Sequence, residues 1–180
     1  MPTNVVLTGV GRDRVGIVAE LSNVLFELGC NLLDSSMTLL RGEFAVILMA
    51  QIPEDSTLEE LKEKLADVEK SLEMNVYLRE LSDQELAQSE QEETAYIISV
   101  YGADRPGIVA GITKELAELK VNLTDVETKK TESAKSLFLM VLEITIPSDL
   151  TYETLESRLK NRAESLGVDV SIQAVEYMEI

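Results

Sequence analysis

Apolar residues fall along this chain in two rhythms, and the same succession of rhythms occurs twice. "NVVLTGV" and "AYIISVY" are short apolar runs rich in β-branched and aromatic side chains, which predicts a first strand in each copy. Ile17, Leu21, Leu25 and Leu28 then recur at helical spacing, as do Ile108, Ile112, Leu116 and Leu119. Residues 31–40 and 122–131 read as second strands. "EFAVILMAQIP" and "SLFLMVLEITIP" are almost continuous apolar strands, each stopped by a proline. Leu58, Leu61, Leu65, Val68 and Leu72 mark a second helix, matched by Leu155, Leu159 and Leu166. "MNVYLREL" and "VDVSIQAVEYM" close each copy with a strand. The order β-α-β-β-α-β is the ferredoxin-like split βαβ unit. It predicts an α+β chain with two antiparallel sheets in tandem, each carrying its helices on one face. The first and third strands are the most apolar, so they are expected at the centre.

The two copies are written in closely related words. "GRDRVGIVAEL" at residues 11–21 returns as "GADRPGIVAGI" at residues 102–112, and the match runs without a gap through Asp34 and Asp125. Phe44 then meets Phe138, Pro53 meets Pro147, and Leu61 and Leu65 meet Leu155 and Leu159, once a short insertion in the second copy is allowed. Two copies make a duplicated domain rather than a solenoid, which needs more repeats to bury a continuous core. The expected domains are residues 1–81 and 94–180. Between them, 82–93 ("SDQELAQSEQEE") is polar and acidic, as linkers are. A short helix would also suit its Glu, Leu, Ala and Gln.

The repeated stretch spans the end of strand one and the start of helix one, and it has two readings. In the structural one, Asp13 and Asp104 cap the helix. Pro106 occupies its first turn, and Gly11, Gly16, Gly102 and Gly107 permit a tight turn. In the functional one, the free N–H groups and partial positive charge of the helix N-terminus receive a carboxylate. The aspartate then receives an ammonium group, so a zwitterionic amino acid fits. Asn31 and Asn122, opening strand two, would add an amide with both donor and acceptor. Turn chemistry after the helix explains the two asparagines equally well.

Charge and composition remove most other functions. Sixteen Lys+Arg stand against 33 Asp+Glu, a net charge of −17. Such a surface repels nucleic-acid phosphates and anionic membranes. The aromatic content of 4% leaves no stacking platform for RNA. There is no histidine, which removes the Ser-His-Asp and Cys-His devices and the commonest zinc ligand. No enzymatic activity is expected. Gly9, Gly11 and Gly16 do not have dinucleotide-binding spacing, Ser99 replaces the first glycine in copy two, and no phosphate-loop or calcium-loop motif occurs. No cofactor or metal is expected. Cys30 is the single cysteine, so no intramolecular disulfide forms and a reducing, cytoplasmic setting is expected. It reads as a small buried hydrophobe. Met37, Met49, Met74 and Met140 read as fillers of core or interface gaps. The start "MPTNVVLTGVGRDR" lacks signal-peptide character, and no apolar run is long enough to span a membrane.

"DRVGIVAELSNVLFELGCNLLD" and "DRPGIVAGITKELAELKVNLTD" resemble the Asp-Arg-Pro-Gly-Ile-Val signature of ACT domains. With two copies and nothing attached, the chain resembles the glycine cleavage system transcriptional repressor group of small regulators. The resemblance implies a regulatory module that binds an amino acid or similar metabolite. It also implies domains paired side by side through edge strands, either between the two copies of one chain or between two chains, as in a homodimer. The ligand would sit at that junction, between the strand-one–helix-one loop and the start of strand two. Carried onto this chain, the loop positions are Gly11, Arg12, Asp13, Arg14, Val15 and Gly16, with Gly102, Ala103, Asp104, Arg105, Pro106 and Gly107 in copy two. The strand-two positions are Asn31 and Asn122. Copy one departs at Val15, where the signature has proline. Copy two departs at Lys120, where a glycine closes the helix, and a left-handed lysine there costs about 1 kcal/mol. "LLDSSMTLL" is uncharged after Asp34, whereas its counterpart carries Lys129 and Lys130, which protect an edge. Copy one therefore offers the better association edge. The resemblance implies an amino-acid-binding regulator of amino-acid metabolism or its gene expression. It would act through protein contacts rather than by binding DNA. The alternative is a ligand-free interaction or oligomerisation module.

Overall fold

The computed structural model describes residues 2–82, 85, 95–131 and 136–175. The chain divides into two compact units, Met1–Gln91 and Glu92–Ile180. Most of the expected linker 82–93, including any helix within it, lies outside the described residues. The first unit runs β1 (Thr3–Arg12), α1 (Ile17–Glu27), β2 (Asn31–Leu40), β3 (Glu43–Ile52), α2 (Leu58–Leu72) and β4 (Met74–Glu80). The second runs β5 (Ala95–Ala103), α3 (Ile108–Glu118), β6 (Asn122–Lys130), β7 (Leu137–Thr145), α4 (Tyr152–Leu166) and β8 (Val168–Ala174).

Each unit is a four-stranded antiparallel sheet, ordered β2-β3-β1-β4 in the first and β6-β7-β5-β8 in the second. The apolar first and third strands lie at the centre, as their composition requires. Their alternate side chains meet the helix stripes in two separate cores. Leu7, Leu21 and Leu61 have no exposed surface in one core, and neither do Ile98, Ile112 and Leu155 in the other. Burying each such side chain contributes about 1.5–3 kcal/mol. Met74 and Met140 are buried in these cores, whereas Met37 is exposed on β2, the edge strand. Cys30 is half-buried and packs on the first core, and burial pushes its thiol pKa up.

The second helices carry their own start signals. Thr57 and Glu60 form a reciprocal capping box at α2, and the Thr151 side chain accepts the Thr154 N–H at α4. Lys120 closes α3 in a left-handed conformation, φ 58°, as its position requires. The central strand also passes very close to the start of the last strand. A Cβ on Gly11 would lie 2.7 Å from Met74 Cβ, and one on Gly102 would lie 2.9 Å from Val168 Cγ1. Both are closer than real carbon contacts allow, so these two glycines are set by packing.

Beyond β4, Glu85 anchors the chain. Its carboxylate accepts the Ser82 N–H at 2.9 Å and Arg79 Nη1 at 2.7 Å. These bonds, led by the Ser82 backbone N–H, lower its pKa from 4.5 to about 2. A folded value below the ordinary one means that the anchor supports the folded chain above about pH 4.5 and is lost as pH falls towards 2. The Glu85 carboxyl resonance should titrate with a midpoint near pH 2, and in Arg79→Ala that midpoint should rise. Gly11→Ala should reduce the urea-unfolding free energy by about 1–3 kcal/mol through overpacking against Met74.

Candidate functional site

Residues 13–16 carry the chain from β1 into α1. Gly16 is the helix N-cap at φ 102°, a left-handed conformation that suits glycine. Its carbonyl accepts the Glu20 N–H at 2.9 Å, the first bond of the helix. No side chain caps α1. The expected Asp13 cap is therefore corrected: the glycine turn leaves Asp13 short of the helix. Its own N–H instead donates to Gly42 O at 2.9 Å, in the β2–β3 turn. Among the described residues, the exposed Asp13 carboxylate has no hydrogen bond or ion pair. The first-turn N–H groups and this carboxylate thus lie close together along the chain and without side-chain partners, a donor–acceptor combination suited to a zwitterion.

The second loop repeats the geometry with different occupancy. Gly107 is the N-cap at φ 95°, again without a side-chain cap, so the expected Asp104 cap is corrected as well. Pro106 precedes the N-cap and so lies outside the helix rather than in its first turn. The Asp104 N–H donates to Ser136 O at 3.1 Å. Its carboxylate, however, is 2.5 Å from Lys130 Nζ. Lys130 pairs with Phe138 across β6–β7, just as Leu39 pairs with Phe44 across β2–β3. A leucine therefore stands in the first unit where the second places an ammonium group.

The signature arginines serve the scaffold. Arg14 forms an ion pair with Glu73, the left-handed residue (φ 51°) that closes α2. At the corresponding place in the second unit stands left-handed Gly167, where a Cβ would lie 3.1 Å from Arg105 Nη1. Arg14 thus ties its loop to the end of the second helix by an ion pair, and Arg105 lies beside the same place in the second unit. Arg12 ends β1 opposite Glu43, and Ala103 ends β5 opposite Leu137.

Asn31 and Asn122 lie elsewhere. Asn31 opens β2 opposite Gln51, which in turn pairs with Asn4 near the start of β1. Gln51 Nε2 donates to Asn4 Oδ1 at 3.1 Å. Strand rise puts Asn31 about 25 Å from the loop at the far end of the same sheet. Within one unit, the loop and the asparagine do not converge. Two site features went unread in the sequence. The Arg41–Gly42 turn, with φ 51° and 87°, receives the Asp13 N–H; an Arg-Gly pair between two apolar strands was its signal. The charge of Lys130 was legible, but its contact with Asp104 had no local signal.

Among the described residues, no helix is long and apolar enough to cross a membrane, and no group of three or more His, Cys, Asp or Glu could hold a metal.

The chain matches the ACT domain family over residues 3–78 and again over 94–173. A UPF0237 protein of Methanopyrus kandleri is 40% identical over 81 residues, covering 44% of this chain and 87% of its own length. A UPF0237 protein of Methanocaldococcus jannaschii is 38% identical over 78 residues, covering 43% and 83%. Among solved structures, an unknown protein from Galdieria sulphuraria superposes with a TM-score of 0.81 at 28% identity, covering 98% of this chain and 100% of its own. A protein provisionally described as a glycine cleavage system transcriptional repressor superposes with a TM-score of 0.72 at 20% identity, covering 98% and 99%, which shows a shared fold. Two family matches in register with two separately cored β-α-β-β-α-β units give one conclusion: the chain belongs to the ACT domain family and carries that domain twice.

Proposed function

We propose that this chain is a regulatory protein that binds an amino acid at the loop between β1 and α1 and signals through protein contacts. The observation that carries this reading is the uncapped N-terminus of α1 beside the unpartnered Asp13 carboxylate. The helix end would take the ligand carboxylate and Asp13 its ammonium group. The first loop is favoured over the second because Lys130 already neutralises Asp104.

The site is completed by a second copy of the chain. β2 is an edge strand with all ten residues exposed, including Leu32, Leu33, Met37, Leu39 and Leu40. An edge that is uncharged after Asp34 and rich in apolar side chains invites strand addition. Its C-terminal end lies at the loop end of the sheet. Antiparallel pairing of two β2 edges would set the start of one beside the end of the other, so Asn31 of each copy approaches the other's loop. Ligand binding would then bias the pairing, typically with 1–3 kcal/mol of coupling for a partner protein to read. Kinship with a glycine cleavage system repressor fold supports a role in amino-acid metabolism or its gene expression. The charge of −17 favours action through another protein rather than on DNA.

Thermal denaturation with each of the twenty amino acids tests the ligand. One or two should stabilise the protein, by roughly 2.7 kcal/mol at a hundredfold excess over the dissociation constant. Asp13→Ala should abolish the shift and Asp104→Ala should leave most of it. A flat response to all twenty would favour the ligand-free module, for which the apolar β2 edge is the supporting observation. Sedimentation tests the edge: Met37→Lys should convert a dimer to a monomer, whereas Glu127→Lys on β6 should not.

A further inference from the structure

The sheet face of the first unit that turns away from the helices is apolar at its centre. β3, "EFAVILMAQI", carries apolar side chains on both of its sides, the pattern of a strand covered on both faces. One side meets the helices. On the other, Ile47 of β3, Val10 of β1 and Tyr77 of β4 are 47%, 44% and 65% exposed. Cross-strand register sets this face in rows across β2, β3, β1 and β4. Asp34 and Arg79 end one row, with Met49 and Val6 between them. Ile47 and Thr8 form the middle of the next row, and Glu43 and Arg12 lie side by side where the face ends. Charged residues make up 27% of the chain, yet on this face they stand only at the margins. Depletion of charge at the centre of a patch is a mark of protein interfaces.

We propose that this face packs on the same face of a second copy of the chain. A half-turn about an axis parallel to the strands reverses the strand order and keeps each row. β2 then lies over the partner's β4, and β3 over its β1. Asp34 meets the partner's Arg79 and Glu43 meets the partner's Arg12, and symmetry forms each pair twice. Met49 meets the partner's Val6, and Ile47 the partner's Thr8, so no charge is buried at the centre. Glu85 holds Arg79 Nη1 at 2.7 Å, which fixes the guanidinium with further N–H groups to give. Asp34 Oδ1 accepts the Ser35 N–H at 2.7 Å, and Oδ2 remains. The second unit does not suit the same packing. Glu143 stands where the first unit has Met49, between Asp125 and Ile97 on the equivalent face. The half-turn would set Glu143 over the partner's Ile97, and burying a carboxylate without a partner is strongly unfavourable. Four strands about 4.8 Å apart and about 30 Å long give a face of roughly 570 Å². Two such faces bury about 1,100 Å² in total, near the lower end for specific complexes. The contact is therefore weak and forms in concentrated protein. It uses neither the outward ladder of β2 nor Asp13, so it stands or falls apart from the proposed function.

The test is sedimentation of the full chain carrying Met37→Lys, a background that removes edge pairing. From micromolar to millimolar protein it should pass from monomer to dimer. Amide signals of Val10, Ile47 and Tyr77 should shift with concentration, and those of Leu139 and Val141 in the second unit should not. Adding Met49→Glu installs the carboxylate that the second unit carries at this place, and should weaken association at least about tenfold. If that change disturbs folding, Ile47→Lys at the exposed centre should do the same. Glu43→Arg should also weaken the dimer, and Arg12→Glu added to it should restore the dimer, which adhesion of an apolar face without fixed register would not do. A monomer throughout the range, association undiminished by Met49→Glu and Ile47→Lys, or no rescue by the charge exchange would overturn the proposal. So would loss of association on Val141→Lys, which would move the contact to the second unit.

Discussion

Each unit depends on one interaction, the burial of its central strand pair beneath two helices. β1 and β3 in the first unit, and β5 and β7 in the second, lend alternate side chains to the core while their other faces stay open. The remaining features follow from that burial. With β1 and β3 central, β2 is left at the edge with its outward ladder groups free. With α1 laid across the sheet, the β1–α1 loop falls at one end and the start of β2 at the other. The candidate site is thereby split between two ends of one sheet, and edge pairing is the step that would bring its parts together.

The duplication has kept this frame and altered its surfaces. The glycine N-caps, the arginines turned to the left-handed residue after the second helix, and the tight contacts of Gly11 and Gly102 recur in both units. These positions answer to backbone geometry, which both copies share. The positions that differ include exposed Leu39 against Lys130 and, on the helices, buried Val24 and Val68 against half-buried Glu115 and Arg162. At each, an apolar side chain in the first unit stands where the second has a charged side chain in an ion pair. Exposed ion pairs contribute little stability, so this pattern bears more on what each face can touch than on how firmly each unit folds. At the loop the second unit is closed by its Lys130–Asp104 ion pair and the first is open.

Much of this was legible in the sequence. Periodicity located the twelve elements of the described residues, because a period near 3.6 or 2 is the direct trace of one buried face. The order of elements named the fold, and the repeat revealed the duplication. The Asp-Arg-x-Gly-Ile-Val stretches marked the loops, and Lys120 was readable as a left-handed residue from its place at a helix end. The errors were of another kind. Asp13 and Asp104 look like N-caps because Asp before a helix usually is one, yet the left-handed glycine takes that position. Pro106 looks like a first-turn residue for the same reason.

The sequence by itself determined which residues form strands and helices, how many domains there are and which family they belong to. Those properties depend on spacing along the chain and on backbone preference, both of them local. Only the tertiary structure decided who meets whom. It brought Lys130 to Asp104, Arg14 to Glu73 and the Asp13 N–H to Gly42, and it set Asn31 at the far end of the sheet from the loop it was expected to join. Such contacts join residues remote in sequence, and their partners depend on strand order and register, which no single segment encodes.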